Sequence, residues 1–183
     1  MTMKKNLFLK IFGIFSTLFI VFFTCKTFAN DLSNSYYTFN NCSPKQITYD
    51  NFVKIEIGSN YNDVIKILGK ESYKDSTIIN GLKNTTYIWK VNGTEKNIFI
   101  TFINGIVITK EQYKLNDNFS VLSSEKISSL KKGMSYDEAK NILGEGILRS
   151  EEKGIKVFTW FDNNSKYLNC TFKNDKLTIF MEQ

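Results

Sequence analysis

A stretch of twelve residues occurs twice in this chain, and it limits what the chain can fold into. Gly58 to Gly69 reads Gly-Ser-Asn-Tyr-Asn-Asp-Val-Ile-Lys-Ile-Leu-Gly, and Gly133 to Gly144 reads Gly-Met-Ser-Tyr-Asp-Glu-Ala-Lys-Asn-Ile-Leu-Gly. The offset is 133 − 58 = 75 positions, with Gly, Tyr, an acid, Ile-Leu and Gly in register, so a unit is duplicated. Each copy predicts a short helix. Asn60 or Ser135 caps the amino end with a side-chain oxygen. The acid three places on, Asp63 or Glu138, completes a capping box and suits the helix dipole. Gly69 and Gly144 close the helices in the left-handed conformation. Tyr61, Val64 and Leu68, then Tyr136, Ala139 and Leu143, fall at i, i+3 and i+7 and form an apolar stripe. A helix of about ten residues does not stand alone in water, so each must lie on something.

Each copy is succeeded by strands. Thr85–Val91, Asn97–Ile103 and Ile106–Lys110 are rich in β-branched and aromatic residues and are separated by Asn92-Gly93 and Asn104-Gly105, the strongest local hairpin signal. After the second copy come Lys156–Phe161, Tyr167–Phe172 and Lys176–Met181, separated by 162–165 and by Asn174-Asp175. Trp89 and Phe102 in the first set match Trp160 and Phe172 in the second. A short strand before each set, near Glu71–Tyr73 and Ile147–Arg149, is weakly signalled. Ser72–Asn84 reads as a long polar loop, and Glu151-Glu152 as a charged turn. Tyr49–Ile55 and Glu125–Leu130 read as lead-in helices. The fold class is α+β: two helix-helix-meander units at 49–115 and 125–183, joined by a linker at 116–124.

Residues 1–29 carry Lys4 and Lys5, an apolar run from Leu7 to Thr24 interrupted by Lys10, and no acid. This is the layout of an export signal. Cleavage after Thr27-Phe28-Ala29, retention as a membrane anchor and lipidation at Cys25 are all open. Each places the folded part outside the cytoplasm, secreted or anchored to the outer face of the membrane. Residues 30–48 are polar, contain the only proline, Pro44, and read as a spacer. Without Lys4, Lys5, Lys10 and Lys26 the net charge of +6 falls to 6 − 4 = +2. Arg149 is the sole arginine. Nucleic-acid readers rely on arginine forks and a concentrated basic face, so nucleic acid is not an expected partner.

Catalytic chemistry finds no footing. The chain has no histidine, which removes the usual base at neutral pH and the commonest metal ligand. Nucleophile-elbow and phosphate-loop motifs are absent, so neither an enzyme nor a cofactor is expected. Of the three cysteines, Cys25 lies in the leader, Cys42 in the spacer and Cys170 in a strand. Cys170 alternates with Leu168 and Phe172 and is expected in the core as a free thiol.

The helix pair carried by Phe52, Ile55 and Gly58–Gly69, and again by Ile127, Leu130 and Gly133–Gly144, each leading into a meander, resembles the β-lactamase inhibitory protein family. The single unit also resembles small outer-membrane assembly lipoproteins. The first resemblance implies that both four-stranded sheets join into one curved sheet, with helices on the convex side and a partner protein gripped on the concave side. The expected partner is a protein, a β-lactamase or another envelope protein among the candidates, and the chain is expected to be a monomer that touches the membrane only through its amino-terminal segment. In the resembling inhibitors an acidic hairpin enters the enzyme, and Glu95 holds that place here. The inhibitors' disulfides have no counterpart.

Alternation divides the strands into two faces. Tyr87, Trp89, Ile98, Ile100 and Phe102, with Phe158, Trp160, Leu168, Cys170 and Phe172, are assigned to the helix-packed core. The other face mixes threonines with aromatics, which suits a protein-binding sheet, although antiparallel sheets also carry such residues towards solvent. The expected contact residues are Ile88, Lys90, Glu95, Phe99, Thr101, Phe161, Tyr167, Asn169 and Thr171. The function so read is a non-catalytic binding module, and the alternative is a membrane-tethered structural or assembly protein of the cell envelope.

Overall fold

The computed structural model describes residues 47–116, 122–162 and 167–182. The leader, all of the spacer but its last two residues, Cys42 and most of the linker lie outside them. In chain order the elements are α1 (Tyr49–Val53), α2 (Tyr61–Leu68), β1 (Tyr73–Ile79), β2 (Leu82–Lys90), β3 (Asn97–Ile103) and β4 (Ile106–Tyr113). They continue with α3 (Ser124–Ser128), α4 (Tyr136–Leu143), β5 (Ile147–Glu152), β6 (Ile155–Phe161), β7 (Tyr167–Lys173) and β8 (Lys176–Glu182). The strands form one eight-stranded sheet in the order β1 to β8, each antiparallel to the next. The turns at 80–81, 104–105, 153–154 and 174–175 therefore all lie at the same end of the sheet.

The helices begin where side-chain oxygens can accept orphan backbone donors. Asn60 accepts from the Asp63 N–H and Ser135 from the Glu138 N–H. Only the second copy is shown with the reciprocal bond of a capping box: Glu138 Oε2 accepts from the Ser135 N–H at 2.7 Å. Asp63 is one methylene shorter, and its Oδ2 accepts instead from the Asn60 side chain at 2.6 Å. The closing glycines depart from the expected left-handed helical geometry. Gly69 (φ 76°, ψ −170°) and Gly144 (φ 88°, ψ −173°) occupy an extended positive-φ region open essentially to glycine alone. That geometry presents their carbonyls to the indoles. Trp89 Nε1 donates to Gly69 O and Trp160 Nε1 to Gly144 O, each at 2.9 Å.

Two backbone bonds fasten each helix entry to a strand. Gly58 N donates to Val107 O (2.9 Å) and Val107 N to Ser59 O (2.8 Å); Gly133 N donates to Leu177 O (2.8 Å) and Leu177 N to Met134 O (2.7 Å). Aromatic nests complete the docking. Tyr61 packs on Tyr87 and Phe102 at 4.8 and 6.0 Å, and Tyr136 on Phe158 and Phe172 at 4.0 and 5.8 Å between ring centroids. The core joins Val64, Leu68, Ala139 and Leu143 of the helices to Trp89, Ile98, Ile100, Phe102, Phe158, Trp160, Leu168, Cys170 and Phe172 of the sheet, which is the face that alternation assigns. Cys170 is buried and has no disulfide partner among the described residues, and burial pushes its pKa up to about 12.

Two expected loops are hairpins. Ser72–Asn84 contains β1, a turn and the start of β2, with Asn80 and Gly81 at φ 52° and 78°, as a type I′ turn needs. The strand escapes an alternation test because residues 74–83 are exposed on both faces, so no apolar-in, polar-out rhythm marks it. Glu151 and Glu152 are not a turn but the end of β5, and the turn is Lys153-Gly154.

The pairing of β4 with β5 is short: Thr109 with Glu152, Lys110 with Glu151, and Glu111 with Ser150. Side chains reinforce it. Lys110, 1 % exposed, projects to the helix side. It donates to the carbonyls of Phe52 (3.3 Å), Val53 (3.2 Å) and Ile55 (2.5 Å) at the carboxyl end of α1 and pairs with Glu151 at 3.2 Å. Gln112 Nε2 donates to Leu148 O at 3.1 Å, and the Leu148 N–H donates to the Tyr49 hydroxyl at 2.7 Å. Burial pushes the Lys110 ammonium down, and Glu151 holds it up. Removing one partner of a buried pair strands the other. Lys110→Met is thus expected to lower unfolding free energy by about 3 kcal/mol in urea titration, with Glu151 and three carbonyls left short of a donor.

Candidate protein-binding surface

The face away from the helices can be read row by row from the strand register. One row crosses all eight strands: Tyr73, Ile88, Phe99 and Glu111 in the first four, then Ser150, Val157, Thr171 and Ile179. A neighbouring row holds Asp75, Thr86, Thr101, Thr109, Glu152, Ile155, Lys173 and Lys176. Beyond the first row towards the opposite end lie Lys90 opposite Asn97, Thr159 opposite Asn169, and Phe161 opposite Tyr167. The uncovered face therefore brings together eight of the nine expected contact residues, and Glu95 stands in the 91–96 loop at its end.

Their exposure separates them. Phe99, Thr101, Phe161, Tyr167, Asn169, Thr171 and Lys90 are half-buried, so each has an anchored base and an accessible tip. Ile88 corrects the expectation: it is only 5 % exposed, because Tyr73 and Phe99 flank it in its row, and it stiffens the face from within. Thr101 shares a hydrogen bond with Thr86 at 2.8 Å, and Thr159 Oγ1 donates to Asn169 Oδ1 at 2.5 Å, so these polar groups are held in place. Phe161 and Tyr167 lie 6.1 Å apart. Glu95 is exposed and paired with Lys114, in a loop braced by the Thr94 hydroxyl donating to Val91 O at 2.8 Å and by Asn97 Nδ2 donating to Glu95 O at 2.8 Å.

Sequence reasoning missed two central residues. Glu111 lies between Phe99 and Ser150 in the long row; ending β4 at Lys110 hides it, although the alternation simply continues. Arg149 occupies the register shift between Leu148 and Ser150, and its guanidinium lies 5.0 Å from the Phe161 ring centroid, a cation–π distance. A bulge re-aims one side chain, and nothing in a strand pattern announces it. Burial raises the Glu111 carboxyl to about 7, with Arg149 opposing the rise. Among the described residues no cluster of His, Cys, Asp and Glu could hold a metal ion, and no helix is long and apolar enough to cross a membrane.

An α+β layout with one antiparallel sheet, helices on one face and anchored aromatics on the other is a scaffold that presents a surface. Residues 48–157 match the family described as beta-lactamase inhibitor (BLIP), and the chain belongs to that family. It is also similar in fold to a Streptococcus mutans protein proposed to be a beta-lactamase inhibitor. The two share 14% identity with a TM-score of 0.63 over 78% of this chain and 98% of that one. No curated protein matches the chain.

The raised carboxyl gives a pH signature. Glu111 binds its proton more tightly folded than unfolded, so the stability it contributes is greatest below the ordinary glutamate range and is lost as pH rises from about 4.5 towards about 7. Glu111→Gln is expected to flatten that fall by on the order of 1–3 kcal/mol, measured as the difference between variant and parent in chemical denaturation across pH.

Proposed function

We propose that this chain is a non-catalytic protein-binding module that grips a partner protein on the uncovered face of its sheet. The observation that carries the reading is the set of half-buried aromatics Phe99, Phe161 and Tyr167, with Arg149 against Phe161, on a face that no helix covers among the described residues. Binding hot spots are enriched in aromatic residues and arginine in partly desolvated sites. Membership of a family described as beta-lactamase inhibitors makes a β-lactamase the first partner to test, with Glu95 at the rim as its acidic contact once Lys114 yields it. The recurrence of the glycine-to-strand bonds, the indole-to-glycine bonds and the aromatic nests supports two copies of one unit, at 49–115 and 125–183. Ile88, Ile147, Val157 and Thr159 are at most 5 % exposed on a face with no layer above it among the described residues. Such crowding supports a sheet that curves towards this face. The leader at 1–29 supports export, so the module works outside the cytoplasm, free or tethered.

The test uses residues 30–183 and the triple variant Phe99→Ala, Phe161→Ala, Tyr167→Ala. Both are assayed by calorimetry against purified β-lactamases and by capture from extracellular and cell-wall fractions. The triple variant is expected to keep its fold by circular dichroism and to bind at least about a hundredfold more weakly, as three hot-spot losses imply. Unchanged binding by the folded variant would remove the uncovered face as the site.

A further inference from the structure

The end of the sheet that carries four turns has a division that the fold does not require. At the β1–β2 and β3–β4 turns, Ile78, Ile79, Leu82 and Ile106 are 75%, 54%, 47% and 42% exposed. At the β5–β6 and β7–β8 turns the corresponding tips carry Lys153, Lys173 and Lys176, all exposed. The β7–β8 turn thus shows that such a hairpin forms without an apolar tip, while at the β5–β6 turn Ile155, paired with Glu152 as Leu82 is with Ile79, is half-buried rather than exposed. Exposed aliphatic side chains gathered at one place mark an interaction site.

The geometry of the β1–β2 ribbon narrows what covers it. Ile78 pairs with Lys83 on the helix-side face, and Ile79 pairs with Leu82 on the other. Both faces are exposed from residue 74 to 83, so the ribbon projects as a finger with isoleucine on each side. A flat protein surface, or a second copy paired along β1, covers one face or one edge and leaves the other isoleucine wet. An interface that surrounds the tip covers both.

Charge points the same way. Around the four turns stand Lys83, Lys153, Lys173 and Lys176 against Glu152 and Asp175, a balance of 4 − 2 = +2. Asp175 is turned inward, accepting from the Tyr136 N–H at 3.2 Å. Lys173 and Lys176 are direct cross-strand neighbours, an arrangement that costs stability unless an anion relieves it. Glu138 on the helix side reaches Lys176 electrostatically. Aliphatic tips on the first four strands and lysines on the last four, at one end of the same sheet, match an anionic bilayer surface, where apolar side chains enter the headgroup boundary and lysines meet acidic lipids.

We infer that the four-turn end is a lipid-contacting edge, with the β1–β2 and β3–β4 tips inserting shallowly into an anionic membrane surface and Lys173 and Lys176 meeting its headgroups. It is separate from the aromatic cluster of the uncovered face, and it adds a second membrane contact to the expected amino-terminal one.

Hydrogen-exchange mass spectrometry on the full chain tests this, because peptide resolution separates the hairpins from whatever the leader does with lipid. The probes are vesicles of phosphatidylcholine alone and vesicles with about a third phosphatidylglycerol. Exchange across 74–83 and 103–106 is expected to slow at least about tenfold on the anionic vesicles only. Ile78→Ser, Ile79→Ser, Leu82→Ser should abolish the slowing with exchange elsewhere unchanged, since all three side chains are exposed. Lys173→Glu, Lys176→Glu should weaken it. Phe99→Ala, Phe161→Ala, Tyr167→Ala should leave it intact, which keeps this inference distinct from partner binding. The inference is overturned if the hairpins exchange alike with and without vesicles, or if the serine variant is still protected. Slowing that tracks protein concentration without lipid would also overturn it and make a second copy the occupant.

Discussion

A buried ammonium group must be given oxygen partners from several directions, and Lys110 obtains them from parts of the chain that are otherwise distant. Three carbonyls at the end of α1 and the carboxylate of Glu151 converge on one Nζ, at the point where the ladder between β4 and β5 is only three pairs long. Burial of one sheet face already specifies the strand register, and a buried charge that needs all its partners adds a local constraint at the shortest ladder. The place of Lys110 opposite Ile100 is taken in the last strand by Phe180 opposite Cys170. No buried charge asks for a further strand there, and the described sheet ends with β8.

With the register fixed, the arrangement of the uncovered face is fixed too. Glu111 is carried to the opposite side of the sheet from Lys110, because neighbouring residues of a strand point to opposite faces. Arg149 reaches the same side through the irregularity in β5. One strand junction therefore supplies both the strut on the helix side and the charged centre of the uncovered face.

The sequence made the repeated parts legible. Gly58–Gly69 and Gly133–Gly144 located both helices, the Asn-Gly turns located β3 and β4, and alternation around Trp89 and Trp160 assigned the core. What it hid was non-local. Glu151 read as a solvated charge because its partner lies 41 positions away (151 − 110) on another strand. The β1 strand was hidden because a ribbon exposed on both sides has no pattern to show, although Asn80-Gly81 between Ile79 and Leu82 was the available signal. Ile88 was placed on the correct face but with the wrong exposure, since alternation gives direction and says nothing about how neighbours crowd.

The central claim is that the two strand sets, joined at Lys110, behave as one cooperative body. Each set holds one tryptophan, so the molecule carries its own reporters. In Trp89→Phe, fluorescence reports only the second set, and in Trp160→Phe only the first, while far-ultraviolet circular dichroism tracks the whole. In both variants the fluorescence and dichroism transitions are predicted to coincide in urea, as a single cooperative unit requires. A fluorescence transition displaced from the dichroism curve in either variant would show that the sets unfold separately and that the joint does not unite them.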